Sequence, residues 1–236
     1  DEIRTAHIVA KARLLTAIRE RTGLSLSVDS LTIGFARRAT PYKRADLVFS
    51  DIGRLLDIAK DCGPLQFVFA GKAHPNDYGG KEFIRRIVAI AREIENQVPV
   101  VYLENYDLDL GKLLVSGADL WLNTPQRPLE ASGTSGMKAA HNGVPSFGTL
   151  DGWWVEGHIE GLTGWSIGES GEVPPESMNR QDAAALYEKL GSTIVPLYYQ
   201  QRERWIDVMR QSIALNASYF NTHRMVQQYV TNAYIT

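Results

Sequence analysis

The sequence predicts an α/β domain built on a doubly wound parallel sheet, and three observations support this fold class. Short apolar runs alternate with longer stretches of helical periodicity through the middle of the chain. The apolar runs lack clean polar–apolar alternation, which is typical of strands buried on both faces. The connections between runs and helices are short, as in strand–helix units joined by right-handed crossovers.

The predicted elements follow one another in regular order. The strands are predicted at Leu31–Ala36, Leu65–Ala70, Val98–Leu103, Ala118–Leu122 and Pro145–Gly148. The helices between and after them are predicted at about Lys43–Cys62, Asp77–Gln97, Leu108–Ser116 and Ser132–Asn142.

Each helix has its own local signal. Thr40-Pro41 breaks the chain after the first strand, so the first helix is expected to begin around Tyr42–Arg44, with proline near its first turn. In the second, apolar residues recur at helical spacing between residues 83 and 94, with arginines on the other face. Asn105 or Asp107 can cap the third, and small residues open the fourth.

Helix-rich segments, Arg4–Arg21 and Arg180–Tyr234, flank the predicted sheet. We therefore expect three parts along the chain. These are a helical lead-in over residues 1–30, a Rossmann-like catalytic and cofactor domain over 31–173, and C-terminal helices over 174–236 that pack on it.

Composition excludes whole classes of protein. The 236 residues are 44% hydrophobic and 22% charged, which is ordinary for a globular protein and unlike a disordered or fibrous one. The net charge of −2 argues against nucleic acid or a membrane as partner. Cys62 is the only cysteine, so an internal disulfide is excluded and no metal site is predicted. The first residues do not resemble a signal peptide, so we expect a cytoplasmic protein. The sequence starts without methionine, so we expect a fragment or a processed product.

Polar clusters follow the predicted strands at their carboxyl ends. In doubly wound sheets ligands bind at this edge, near the point where strand order reverses, so the clusters are expected to converge in one crevice. The four clusters are Arg37-Arg38 with Tyr42-Lys43-Arg44, Gly71-Lys72-Ala73-His74, Glu104-Asn105-Tyr106, and the run from Glu130 to Lys138.

The run from Glu130 to Lys138 has the features of an anion-binding helix start. A Ser/Gly-rich loop entering a helix presents free backbone N–H groups to a phosphate, and Thr134 adds a hydroxyl. Lys138 lies one turn further on the same face, about 6 Å along the axis. This spacing suits a ligand with a phosphate and a carbonyl, such as pyridoxal phosphate. The alternative is an ordinary capped helix with an exposed lysine.

The cluster after the first strand contains four cations, Arg37, Arg38, Lys43 and Arg44. Arginine and lysine side chains that converge in this way bind a phosphate dianion. The alternative is a solvated basic helix start, but cations at a helix amino end oppose the helix dipole. We therefore favour an anion site here.

The remaining clusters are less specific. His74 either lies in the crevice or caps a turn beside Pro75, and Asn105 with Tyr106 either hydrogen-bonds a ligand or only starts a helix. Of the adjacent indoles at 153–154, one is expected to be packed and the other exposed or facing an interface, so no sugar stacking is predicted.

With these motifs in order, the chain resembles the C-terminal domain of the α-glucan phosphorylases (glycogen, starch and maltodextrin phosphorylase). The Glu-Ala-Ser-Gly-Thr…Met-Lys run at 130–138 resembles their pyridoxal-phosphate lysine motif, and Arg-Arg-Ala-Thr-Pro-Tyr-Lys-Arg at 37–44 is similar to their Lys-Arg-Ile-His-Glu-Tyr-Lys-Arg. The segments 70–75, 104–106 and 151–156 match in kind and order. The resemblance covers about residues 31–168 and implies the C-terminal half of a two-domain, B-type glycosyltransferase fold.

The resemblance implies a reaction and its residues. Inorganic phosphate and an α-1,4-glucan would give glucose 1-phosphate with retention, and Lys138 would hold pyridoxal phosphate as a Schiff base. Catalytic roles would fall to Lys138, Arg38, Lys43 and Thr134. The cofactor would be bound by Lys138, Thr134, Gly133, Tyr106 and Arg37. The substrates would be bound by Glu130, Ser132, Gly133, Arg38 and Lys43.

The departures from the family pattern are also informative. Ser135-Gly136 stands in place of Gly-Asn, Arg37 in place of a lysine, Thr40-Pro41 in place of His-Glu, and Asp107 in place of an arginine. These changes resemble the shorter bacterial and archaeal branch and put allosteric regulation in doubt. The family's N-terminal domain, which lines the other side of the cleft, has no counterpart here, so we expect this chain to be inactive or nearly so alone. Assembly as a homo-oligomer is left open.

Two other functions compete with this interpretation. Nucleotide-sugar-dependent transferases of the glycogen- and starch-synthase kind carry a Glu-x7-Glu pattern at the matching loop, whereas here Glu130 is followed eight residues later by Lys138. A carboxylate there suits a nucleotide-sugar donor, and a lysine suits an aldehyde cofactor. The second competitor is a binding module without chemistry, but the presence of Arg38, Lys43 and Lys138 together argues against it.

Overall fold

The computed structural model describes residues 2–168 and 174–235. A six-stranded parallel sheet forms their centre, with strand order β3-β2-β1-β4-β5-β6. The strands are β1 Leu31–Ala36, β2 Leu65–Ala70, β3 Val100–Leu103, β4 Leu120–Asn123, β5 Ser146–Thr149 and β6 Gly164–Ile167. This order reverses direction between β1 and β4, so the predicted doubly wound, Rossmann-like fold is confirmed.

Helices cover both faces of this sheet. They are α1 Glu2–Thr22, α2 Ile52–Asp61, α3 Tyr78–Ile94, α4 Leu108–Gly117, α5 Thr134–His141, α6 Trp154–Gly157, α7 Pro175–Lys189, α8 Val195–Gln200, α9 Arg202–Gln211 and α10 Thr222–Tyr229. Three of them begin in the same way, because the carboxylates of Asp51, Asp77 and Asp107 each accept a hydrogen bond from the N–H three residues ahead.

The predicted helix Lys43–Cys62 is wrong over its first half. Two short 3-10 turns, Pro41–Lys43 and Leu47–Phe49, occupy that part, and α2 begins only at Ile52. Arg44 ends the first turn, because its backbone adopts the left-handed conformation with φ 45°. The residues of the second turn are all buried, which a helix with one exposed face could not achieve.

A sixth strand, β6, lies outside the predicted set. It is four residues long and pairs with β5 in parallel, from Ser146 opposite Gly164 to Thr149 opposite Ile167. The indole of Trp165 stacks on Trp205 of α9, with ring centroids 5.5 Å apart. The C-terminal helices therefore cover this edge strand, and its burial comes from partners about forty residues away in sequence.

The boundary predicted between residues 173 and 174 is not tested, because residues 169–173 lie outside the described part of the chain.

The C-terminal helices also contact the sheet and its loops through other aromatic residues. The hydroxyl of Tyr199 accepts a hydrogen bond from the Leu31 N–H at 2.9 Å and donates one to the Pro64 carbonyl at 2.5 Å. Tyr219, in contrast, is 46% exposed.

Helix α1 is held to the amino ends of the strands by a buried charge cluster. Asp119, just before β4, accepts hydrogen bonds from Lys11 Nζ at 2.6 Å and from the Thr32 N–H at 2.7 Å. His7 Nε2 lies 2.8 Å from its other oxygen, and Tyr198 of α8 lies 3.3 Å from Lys11 Nζ. Four parts of the chain thus meet at one carboxylate.

None of the helices in residues 2–168 and 174–235 combines the length and the apolar character that crossing a bilayer requires.

Candidate active site

The site lies where β1 and β4 run side by side and the strand order reverses. Two loops leave the carboxyl ends of these strands, the β1 loop over residues 37–44 and the β4 loop over residues 124–133. The β2 end approaches the β1 loop so closely that a Cβ at Gly71 would lie 2.0 Å from the Arg37 carbonyl oxygen. The glycine of this cluster therefore serves the close approach of two backbones.

Glu130 brings the two loops together. Its Oε2 accepts a hydrogen bond from Nη2 of Arg37 at 2.5 Å and another from Nζ of Lys43. All three side chains are less than a tenth exposed. A carboxylate from the β4 loop is therefore clamped by two cations from the β1 loop, as in a charge-assisted ion pair.

The charges in this cluster alter one another's acidity. Burial disfavours the carboxylate of Glu130, but the hydrogen bond from Lys43 and the charge of Arg37 outweigh it, so the pKa of Glu130 lies below its ordinary value. Burial lowers the pKa of Arg37, while Glu130 acts in the opposite direction. Arginine titrates so far above neutrality that Arg37 stays charged. Glu130 and Arg37 are therefore both ionised at neutral pH.

The turn after β5 holds the loop that carries Glu130. The carboxylate of Asp151 accepts a hydrogen bond from the Glu130 N–H at 2.9 Å, and the Trp153 N–H donates to the Ser132 carbonyl at 2.7 Å. A Cβ at Gly152 would lie 2.6 Å from that carbonyl oxygen. Asp151 and Trp153 therefore support the loop that carries Glu130. Both belong to the 151–156 segment that matched the family pattern, for which the sequence predicted no role.

Helix α5 begins with a residue that has no side chain to cap it. Gly133, with φ 86°, is the N-cap, so no side chain caps the first N–H groups of the helix. The Gly136 N–H donates to the Gly133 carbonyl, which leaves those of Thr134 and Ser135 for an anion. Thr134 and Lys138 are both exposed and lie one turn apart on the same face. The opposite face is buried against Trp153, whose Nε1 would lie 2.7 Å from a Cβ at Gly136. The exposed face of α5 therefore has a fixed orientation.

Of the other two predicted site residues, Arg38 lies beside the cluster and Tyr106 lies two strands away from β1, after β3. Arg38 is exposed and lines the same small cavity as Arg37 and Lys43. Tyr106 is half-buried, with its hydroxyl 2.9 Å from where a Cβ of Gly111 would be. Burial, followed by the charge of Asp107, raises the pKa of Tyr106, so its hydroxyl stays protonated at neutral pH.

Arg44 is not part of the anion cluster, contrary to the sequence-based expectation. It is 5% exposed and its guanidinium contacts the Thr124 carbonyl, the Pro125 carbonyl and Asp182. The dipole argument for this cluster is also wrong, since no α-helix begins at residues 42–44. The case for an anion site rests instead on the convergence of Arg37 and Lys43.

The structure also decides between alternatives left open by the sequence. His74 caps a turn, because its Nδ1 accepts a hydrogen bond from the Asn76 N–H at 3.2 Å. Asp107, and not Asn105, is the N-cap of α4. The expectation of one packed and one exposed indole is wrong: Trp153 and Trp154 are 3% and 1% exposed, because the loop, α5 and α6 enclose both rings.

The residues present fit a phosphate-bearing aldehyde cofactor. Within residues 2–168 and 174–235, Nη1 of Arg37 is buried without a hydrogen-bond partner, and it belongs to the side chain whose Nη2 holds Glu130. A donor in this state and an uncapped helix start are suited to phosphate oxygens. Lys138 is an accessible amine one turn along that helix.

The structure is thus a doubly wound domain in which two cations meet a carboxylate at the carboxyl end of the sheet, close to a helix that carries an exposed lysine. Residues 1–161 match the family model described as carbohydrate phosphorylase, and the chain belongs to this family.

Relatives with curated names agree with this family. A maltodextrin phosphorylase of Thermococcus litoralis is 44% identical over 99% of this chain, and a glycogen phosphorylase of Aquifex aeolicus is 42% identical over 99%. A glycogen phosphorylase of Mycobacterium bovis is 41% identical over 86%. The chain spans 30%, 37% and 24% of the lengths of these three relatives, respectively.

Proposed function

We propose that this chain is the cofactor- and phosphate-binding domain of an α-glucan phosphorylase, which transfers a glucosyl unit from an α-1,4-glucan to inorganic phosphate. The observation that carries the proposal is the convergence of Arg37 and Lys43 on Glu130, beside the uncapped start of the helix that bears Lys138. The names of the relatives support the same reaction. The remainder of the longer protein would supply the other wall of the glucan cleft.

The cofactor in this proposal is pyridoxal phosphate, held through Lys138. The N–H groups at the start of α5, the hydroxyl of Thr134 and the guanidinium of Arg37 are the donors proposed for its phosphate. Tyr106 follows β3, two strands from β1 at the same edge of the sheet, and is proposed as a further ligand. When bound, this cofactor supplies a second phosphate group that can exchange a proton with the substrate phosphate. Two phosphates repel each other, so cations must hold them together.

Arg38 and Lys43 would bind the substrate phosphate. Arg38 is exposed and Lys43 is buried beside it in the lining of one cavity, so one cation is accessible and the other is fixed. Held by both, a phosphate O–H can protonate the glycosidic oxygen as the bond to glucose breaks. Glu130, Ser132 and the backbone of Gly133 would accept and donate hydrogen bonds to hydroxyls of the glucosyl unit, which fixes its orientation.

The first prediction tests this function in the full-length protein. Lys138→Ala is expected to lower the rate of maltodextrin phosphorolysis by about 10²- to 10⁴-fold, because the acid–base chemistry of the cofactor is lost. Borohydride reduction in the presence of pyridoxal phosphate should label Lys138 in the unaltered protein. The matched control is Lys112→Ala, which removes a lysine that is 77% exposed and forms a surface ion pair with Asp109.

Three outcomes would contradict the proposal. Labelling of a lysine other than Lys138 would refute the cofactor site, and full activity of Lys138→Ala would refute its role. Glucosyl transfer from a nucleotide-sugar donor, without phosphorolysis, would favour the synthase-like alternative.

A further inference from the structure

A buried carboxylate outside the site, Asp182 on α7, lies between two arginines from the two site loops. Asp182 is 0% exposed. Its Oδ2 accepts a hydrogen bond from Arg44 Nη2 at 2.7 Å, and its Oδ1 accepts one from Arg127 Nη2 at 2.7 Å. Arg44 directly follows Lys43 in the β1 loop, and Arg127 comes three residues before Glu130 in the β4 loop. One helix residue thus contacts both loops.

Arg44 extends this contact through all three nitrogens of its guanidinium. Nε donates to the Thr124 carbonyl at 2.9 Å and Nη2 also donates to the Pro125 carbonyl at 3.0 Å. Nη1 donates to Asn179 Oδ1, one turn before Asp182, at 2.9 Å. A planar, fork-shaped donor of this kind fixes the orientation of everything that it binds.

The β4 loop returns hydrogen bonds to the β1 loop. The hydroxyl of Thr124 lies 3.0 Å from the carbonyl oxygens of both Lys43 and Arg44, and the Gln126 N–H donates to the Tyr42 carbonyl at 2.7 Å. The backbone on either side of Lys43 is therefore tied to the chain segment that leads to Glu130. Displacing one loop would displace the other.

Two local features of the backbone accommodate this contact. Arg44 has φ 45°, which side-chain-bearing residues rarely adopt, so its surroundings must enforce it. Gly168, with φ 71°, leaves room for the carboxylate, since a Cβ there would lie 2.5 Å from Asp182 Oδ1. Burying the carboxylate is favourable only while both arginines accompany it.

We infer that Asp182 is a positioning residue: through Arg44 and Arg127 it sets the relative placement of the two loops that carry Lys43 and Glu130. Removal of its charge would let the loops separate without touching any residue assigned to substrate or cofactor. The consequence for phosphate binding rests on the proposed function, whereas the coupling of the loops does not.

Hydrogen exchange tests the coupling directly on the full-length protein. In Asp182→Asn, amide exchange is expected to accelerate at least tenfold both in residues 42–47 and in residues 124–130, with the Gln126 amide as the reporter. Asn179→Ala, which removes one Arg44 partner at an exposed position, should give a smaller increase in the same two segments. The control Asp207→Asn changes a carboxylate that is 57% exposed and should leave both unchanged. Faster exchange confined to α7 would overturn the inference.

Kinetics then tests the consequence for the site. We expect Asp182→Asn to raise the KM for phosphate about tenfold while the KM for maltodextrin changes less than twofold, a split that general loss of stability would not produce. A lowered kcat with unchanged KM for phosphate would overturn the positioning role. If the unaltered full-length protein showed no phosphorolysis, the proposed function would fail, and the exchange result would still decide whether Asp182 couples the loops.

Discussion

Glu130 occupies the position between Arg37 and Lys43 that an anionic ligand would also favour. Its carboxylate therefore offsets one of the two positive charges, and a phosphate that enters must share these cations with Glu130 or replace it. The lowered pKa of Glu130 means that it competes as an anion throughout the neutral range. At the scale of single residues, the site is a balance of two cations and one carboxylate.

The second prediction follows from this competition. Glu130→Gln, which keeps the shape and removes the charge, is expected to tighten inorganic phosphate binding about tenfold, or about 1.4 kcal/mol. Phosphorolysis should fall in the same variant, since a proposed ligand of the glucosyl unit is altered. Calorimetric titration of the full-length protein with phosphate measures the first effect. Glu82→Gln, at a 63% exposed ion pair on α3, is the control. Weaker phosphate binding in Glu130→Gln would contradict the competition.

At the scale of elements, the orientation of α5 depends on small residues meeting a large one. Trp153 packs against Gly133 and Gly136, and its ring also lies 5.2 Å, centroid to centroid, from Phe220. The pattern of glycines around one indole lets the helix lie flat on the turn after β5. Thr134 and Lys138 are thereby presented on the opposite, exposed face.

The third prediction concerns this contact. Gly136→Ala is expected to destabilise the protein by about 1–3 kcal/mol, because the new Cβ would lie 2.7 Å from Trp153 Nε1. Combining it with Trp153→Ala should cost less than the sum of the two single changes, since the clash is then absent. Denaturant unfolding measures both. The control is Gly53→Ala in α2, where the nearest atom is 3.6 Å away and a gain of up to about 1 kcal/mol is expected. Strictly additive effects would contradict the packing argument.

At the scale of the whole molecule, segments distant in sequence are joined to the sheet by buried polar and aromatic contacts. Asp119 binds α1 and β1 and lies near α8, and Trp165 of β6 stacks on Trp205 of α9. Burial disfavours ionised Asp119, but the hydrogen bond from His7 and the charge of Lys11 outweigh it and hold its pKa below the ordinary value. These contacts lie at the amino ends of the strands, opposite the site.

The fourth prediction tests this junction. Asp119→Asn is expected to lower the free energy of unfolding by about 3–5 kcal/mol, because the buried Lys11 ammonium loses the negative charge that compensates it. Because the folded pKa of Asp119 lies below the unfolded one, its contribution is present above the unfolded value and is lost as pH falls through the folded value. As pH falls, the free energy of unfolding should therefore decrease less in Asp119→Asn than in the unaltered protein. Asp109→Asn, at an exposed pair, should behave like the unaltered protein. An unchanged acid dependence in Asp119→Asn would contradict this role.

The sequence was sufficient where local patterns decide the structure. The two longest strands were predicted with their observed ends, because each is a largely apolar run bounded by polar residues or breakers. The carboxylates of Asp77 and Asp107 act on N–H groups three residues away, so the starts of α3 and α4 follow from local chemistry. Asp51 caps α2 in the same way, but the start of that helix was predicted too early, at Lys43. The convergence of the loops after β1 and β4 followed from the general geometry of parallel sheets.

Tertiary structure decided the roles of the charged side chains. Arg37, Arg38, Lys43 and Arg44 are alike in sequence, yet Arg37 and Lys43 meet Glu130, Arg38 remains exposed and Arg44 turns away to Asp182. The sequence by itself determined five of the six strands, the order of the motifs and the lysine one turn beyond Thr134, because these depend on periodicity and short-range spacing. Which cation is free and which is paired depends on a carboxylate more than eighty residues away, and only the folded chain brings that partner within reach.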